Sequence, residues 1–96
     1  MPTYISLVDW TGEGIENVKE SPNRLQQARE MFTSHGGELS QFFMTMGEHD
    51  MVVVSKFPDD ESYAKAMLQT ARGGSVRTKT LKAFTEEEYR DIVDAL

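Results

Sequence analysis

The chain has 96 residues and a mass of 10.9 kDa, which leaves room for one small hydrophobic core and places a single domain over residues 1–96. Hydrophobic residues make up 39% and charged residues 27%, a balance that excludes a disordered or fibrous chain, while the absence of cysteine excludes disulfides, thiolate nucleophiles, iron–sulfur clusters and the usual zinc clusters. A formal charge of -6 repels polyphosphate and argues against nucleic acid, and neither a basic-then-apolar leader nor a span of about eighteen apolar residues is present, so a cytoplasmic protein away from the membrane is expected.

Thr3 to Trp10 is β-like. Ile5 and Leu7 alternate with Tyr4, Ser6, Val8 and Trp10, which puts an aliphatic set on one face and a mixed aromatic and polar set on the other. Thr11-Gly12-Glu13-Gly14 breaks the strand, and Ile15 to Lys19 adds a helical turn. Ser21 then reads as an N-cap, with Pro22 at the first helical position. Leu25, Ala28, Met31, Phe32 and His35 follow at helical spacing, and Gly36-Gly37 ends the helix. Glu38 to Met46 and Asp50 to Phe57 are strands separated by Gly47-Glu48-His49, the length of a β-hairpin connection. The second of them is apolar at nearly every position, as in a central strand covered on both sides.

Pro58 closes that strand, and Asp59 or Asp60 caps a helix whose inward stripe is Tyr63, Ala66, Met67 and Ala71 before Gly73-Gly74. Val76 to Ala83 is a fourth strand. Thr85 with Glu88 three residues on forms a capping box, with Phe84 and Tyr89 as its staple. The helix from Glu86 to about Leu96 gathers Tyr89, Ile92, Val93 and Leu96 on one side, so it must dock on something. The order β-α-β-β-α-β plus a terminal helix predicts an α+β, ferredoxin-like domain: a four-stranded antiparallel sheet with two helices on one face. The other face is expected to carry Tyr4, Trp10 and several aliphatic positions, too apolar for water, and a second copy is its simplest cover. A homodimer or larger homo-oligomer is therefore expected.

With no cysteine, chemistry falls to histidine, carboxylates, hydroxyls or a cofactor. His49 stands beside Asp50 at a loop, and a carboxylate that fixes an imidazole tautomer makes a general acid or base. Neighbouring residues of a strand point to opposite faces, however, so the alternative is that Gly47 and Asp50 shape the turn and His49 caps the sheet end. His35 and His49 lie at opposite ends of one strand, roughly 30 Å apart, which argues against a shared metal site with Glu38 or Asp50. No metal or other cofactor is expected. Tyr4, Trp10, Thr78 and Thr80 combine aromatic walls with hydroxyls and are candidates for binding a small molecule, although aromatics on a sheet face more often serve as core or subunit contacts. Arg72, Arg77, Lys79 and Lys82 form the local positive patch, read as a solvated face with partners in Asp59, Asp60 and Glu61. The six methionines are adaptable core filling.

Taken together, Met1-Pro2-Thr3-Tyr4-Ile5 leading to Trp10-Thr11, the Ser21-Pro22 helix start, Met46-Gly47-Glu48-His49-Asp50 and Val76-Arg77-Thr78-Lys79-Thr80-Leu81 followed by Ala83-Phe84-Thr85-Glu86 resemble the GYD family over nearly the whole chain. His49 departs from the family's Gly-Tyr-Asp motif by standing where tyrosine is usual. The resemblance implies a dimeric α/β barrel, in which two ferredoxin-like sheets pack face to face. It selects no reaction, because the wider group includes small oxygenases, haem-degrading enzymes, isomerases and ligand sensors. The functions in view are an oligomeric protein with a small-molecule pocket near His49 and Trp10, a cofactor-independent oxygenase- or isomerase-like enzyme acting on a small aromatic molecule through His49 and Asp50, and a non-catalytic ligand sensor or scaffold.

Overall fold

In the computed structural model, which describes residues 1–96, four strands form one antiparallel sheet in the order β2-β3-β1-β4. They are β1 (Thr3–Trp10), β2 (Glu38–Met44), β3 (Met51–Lys56) and β4 (Val76–Ala83). Between and after them lie α1 (Gly12–Glu16), α2 (Ser21–Ser34), α3 (Asp60–Arg72) and α4 (Glu86–Asp94). This is the expected α+β, ferredoxin-like topology, with β1 and β3 central. No helix is long and apolar enough to cross a membrane.

The caps follow local chemistry. The Thr11 side chain caps α1, Asp59 caps α3 by accepting from the Ser62 N–H, and Thr85 with Glu88 closes the predicted capping box on α4. At α2 the expectation shifts by one residue. A 3-10 turn over Val18–Glu20 runs directly into the helix, so Ser21 already has helical backbone angles and caps nothing. Gly14 has a packing reason: a Cβ there would lie 1.9 Å from the Ser75 carbonyl oxygen, the same oxygen that accepts from the Thr11 N–H.

Tyr4, Phe32, Phe57 and Tyr63 form an aromatic core between helices and sheet, in which Phe57 is fully buried. The Tyr4 and Tyr63 rings stack at 4.0 Å, and Phe57 meets both edge-on. The face assignment of β1 is therefore the reverse of the expectation. Tyr4, Ser6 and Val8 are buried on the helix side, and Trp10 packs against the same core. Ile5 and Leu7 turn to the open side. Period-two alternation sorts residues into two sets; the volume the helices can enclose decides which set they cover, and the large aromatics fill it.

The open side carries a ladder of apolar residues. Phe43, Val52 and Leu7 lie side by side across three strands, and Val54, Ile5 and Leu81 form the next row. β3 was expected to be covered on both faces, yet its burial alternates, with Val52 and Val54 only half-buried. The α4 helix does not bury its apolar side either: Tyr89, Ile92, Val93 and Leu96 all remain exposed.

Candidate functional site

Two groupings of polar side chains arise on opposite faces of the sheet. On the open side, at the end of β1, Asp9 follows Val8 and so projects away from the core. The loop after β2 brings His49 to it, and His49 Nδ1 lies 3.2 Å from Asp9 Oδ2. Because a carboxylate only accepts, Nδ1–H is the donor and Nε2 is left for another partner. The other Asp9 oxygen accepts from the Asp50 N–H at 3.1 Å. That same N–H also reaches the Val8 carbonyl at 3.1 Å, and the Asp50 side chain turns back to accept from the Trp10 N–H at 3.0 Å.

The carboxylate that orients His49 is thus Asp9, forty residues away in sequence, whereas Asp50 ties its loop to β1. Adjacent residues diverge, and the antiparallel β1–β3 register supplies the partner instead. His49 and Asp9 are each about a quarter exposed or less, at 20% and 27% of their side-chain surface. Partial burial is the largest single influence on Asp9 and raises its pKa, but the hydrogen bonds from His49 and the Asp50 N–H, with the charges of His49 and Lys79, outweigh it and leave Asp9 below the ordinary carboxylate range. Arg77 sits directly across from Asp9 on β4.

On the helix side, the hydroxyls of Ser6, Tyr63 and Thr80 form a chain, with both links at 2.7 Å. Tyr4 donates to Asp60, which Lys82 also holds at 3.0 Å. Burial first, and then the Asp60 hydrogen bond and charge, push the Tyr4 phenol up to about 12. The Tyr4 hydroxyl, followed by the Lys82 ammonium, keeps Asp60 below the usual carboxylate range. The expected Lys82–Asp60 contact is therefore present. Tyr63 appeared in sequence only as part of an inward stripe; a tyrosine where phenylalanine would pack as well is the signal that its hydroxyl has buried partners.

Alongside this core, the space between α2, α3 and the sheet opens as a cleft of about 460 Å3. Val8, Met51, Val53 and Thr78 form its floor, Arg24, Leu25, Ala28 and Met31 one wall, and Met67 and Thr70 the other. Of the four residues proposed for ligand binding, Thr78 lines this cleft. Thr80 is engaged with Tyr63, Tyr4 is buried against Tyr63 and bonded to Asp60, and Trp10 packs against the core with its indole N–H buried and unpartnered. His49 and Asp9 do not border the cleft. His35 ends α2 and pairs with Gln69 at 3.0 Å, apart from His49.

Comparison with known proteins agrees with this architecture. A Thermus thermophilus protein named glutamine synthetase and cystathionine beta-lyase binding protein is 34% identical over 85 residues, which is 88% of this chain and 90% of the relative. Among solved structures, TTHA0845 from Thermus thermophilus superposes with a TM-score of 0.56 at 24% identity, covering 88% of this chain and 95% of that one. A feast or famine regulatory protein from M. tuberculosis, complexed with L-methionine, superposes with a TM-score of 0.67 at 12% identity over 88% of this chain; the chain spans about half of that regulator, 51%. At such identities the likeness is one of fold. The GYD domain profile matches residues 4–93, nearly the whole sequence, and the chain belongs to the GYD domain family.

Proposed function

We propose that the protein is a non-catalytic binding module that self-associates through its open sheet face and, as that assembly, binds other enzymes. The observation that carries the reading is the uncovered apolar ladder together with α4. Phe43 and Leu81 are each about half exposed, at 53% and 51%, beside Ile5, Leu7, Val52 and Val54. Such a surface is stabilised by removal from water, and a second identical face offers a matching one. Packed this way, two sheets make the face-to-face barrel expected from the family resemblance. α4 carries Glu87, Asp91 and Asp94 opposite its apolar stripe, with Glu86 and Glu88 flanking it, which suits it to a neighbour with a basic rim such as Arg77 and Lys79. The name of the Thermus relative supports enzymes as partners.

The test is titration of the purified protein against purified glutamine synthetase and cystathionine beta-lyase by biolayer interferometry. Saturable binding to either supports the reading. No binding by either at concentrations up to about 100 μM would overturn it.

A second reading rests on a separate observation, the Asp9–His49 hydrogen bond, which fixes the imidazole tautomer as general acid–base catalysis requires. In it, His49 moves a proton at Nε2 on a small aromatic substrate and Asp9 takes the orienting role. Turnover would then fall at least about a hundredfold in His49→Ala, and unchanged turnover would dismiss the reading.

A further inference from the structure

The cleft between α2, α3 and the sheet lies on the face opposite the proposed assembly surface, and its chemistry is lopsided. Most of its exposed lining is apolar, with Gln27, Gln69 and Thr70 among the polar side chains at its walls, and three of the six methionines, Met31, Met51 and Met67, line it. Unbranched thioether side chains adapt to a guest of variable shape. Its volume of about 460 Å3 falls within the roughly 300–1,000 Å3 of small-molecule sites.

One full charge borders it. Arg24, on the first turns of α2, is half-buried and forms no ion pair, although the chain carries a net charge of -6. Two of its five N–H groups are held by backbone carbonyls, Nη1 by Asn17 at 3.2 Å and Nη2 by Gly14 at 3.3 Å. Those contacts fix the guanidinium in place without neutralising it, and three N–H groups remain for an anion. Near the floor, Thr78 adds a hydroxyl that makes no hydrogen bond of its own.

The geometry points to a binding site for a small amphipathic carboxylic acid, with its aliphatic or aromatic tail among Val8, Leu25, Met31, Met51 and Val53 and its carboxylate on Arg24. A neutral apolar guest would leave the guanidinium without an anion, and a short polar acid would leave the apolar walls wet. A molecule with both parts answers both groups at once.

Octanoate is the probe, with 1-octanol (the same tail without charge) and butyrate (the same head with little tail) as comparisons. Calorimetry reads binding, and the fluorescence of the only tryptophan, Trp10, reads occupancy, since its cross-strand neighbour Val76 lines the cleft. Octanoate should bind once per chain and more tightly than either comparison. Arg24→Gln should weaken octanoate roughly tenfold or more while leaving 1-octanol unchanged. Ala28→Trp, which fills the cleft, should abolish binding of both; circular dichroism checks that it folds, and Arg24→Gln decides the matter if it does not. No octanoate binding, or binding that Arg24→Gln leaves intact, would overturn the proposal. The subunit number should be the same in Arg24→Gln and wild type, so failure here is distinguishable from failure of the assembly reading.

Discussion

Tyr63→Phe removes one oxygen and leaves the aromatic stack in place, which makes it a clean probe of the helix-side network. The Tyr63 hydroxyl holds Ser6 and Thr80, each at 2.7 Å. Thr80 is exposed and can turn to water, whereas Ser6 is only 2% exposed and loses its side-chain partner. A buried hydroxyl left unpaired costs about 1–3 kcal/mol, so the variant should lose about that much stability. For a chain of this length each kcal/mol lowers Tm by about 4–8 °C. Urea unfolding at fixed protein concentration is the assay, and the midpoint should fall while the slope stays constant. Ser6→Ala in the Tyr63→Phe background removes the orphaned hydroxyl as well, so the double variant should be more stable than additivity predicts, by about 1 kcal/mol or more. A loss below about 0.5 kcal/mol in Tyr63→Phe, or strict additivity, would refute the reasoning.

Gly14→Ala places a Cβ 1.9 Å from the Ser75 carbonyl oxygen and forces α1 off β4's entry, so thermal melting should show a loss of about 1–3 kcal/mol; an unchanged Tm would contradict that packing. The Tyr4 phenol is raised to about 12 by burial and Asp60, so folding keeps its proton where the unfolded chain has lost it: the associated stability is intact below about pH 10, drains away as pH rises toward 12, and should vanish from the pH profile of Tyr4→Phe. Asp9 has the opposite sign. Its lowered pKa contributes stability above its unfolded value of about 3.9, lost as pH falls through the folded value, and Asp9→Asn should flatten the acid limb of urea midpoints measured from pH 6 to pH 2.

Most of the fold was legible because strand alternation and capping are local signals. Thr3–Trp10 and Val76–Ala83 match their predicted bounds, and the Thr85–Glu88 capping box forms as its spacing requires. Longer-range facts were not legible. Alternation grouped Tyr4 with Ser6, Val8 and Trp10 but could not say that the helices would cover that group, because this depends on how Phe32, Phe57 and Tyr63 fill the space above it. The partner of His49 was hidden for the same reason: only the pairing of β1 with β3 brings Asp9 to the loop, while Asp50, next in sequence, turns to Trp10. Arg24 falls outside the apolar stripe of Leu25, Ala28, Met31 and Phe32, and its place beside the cleft emerges only from the packing of α2 and α3 over the sheet. Composition marks the methionines only as adaptable core filling, whereas three of them line that cleft.

Self-association through the open face is the claim on which the proposed function stands, and native mass spectrometry of the purified protein tests it most directly. The account predicts an even number of subunits for the wild type and a monomer for Val54→Asp, which places a charge in the middle of the apolar row between Gln41 and Ile5. A wild-type monomer at about 10 μM, or an oligomer that Val54→Asp leaves intact, would contradict it.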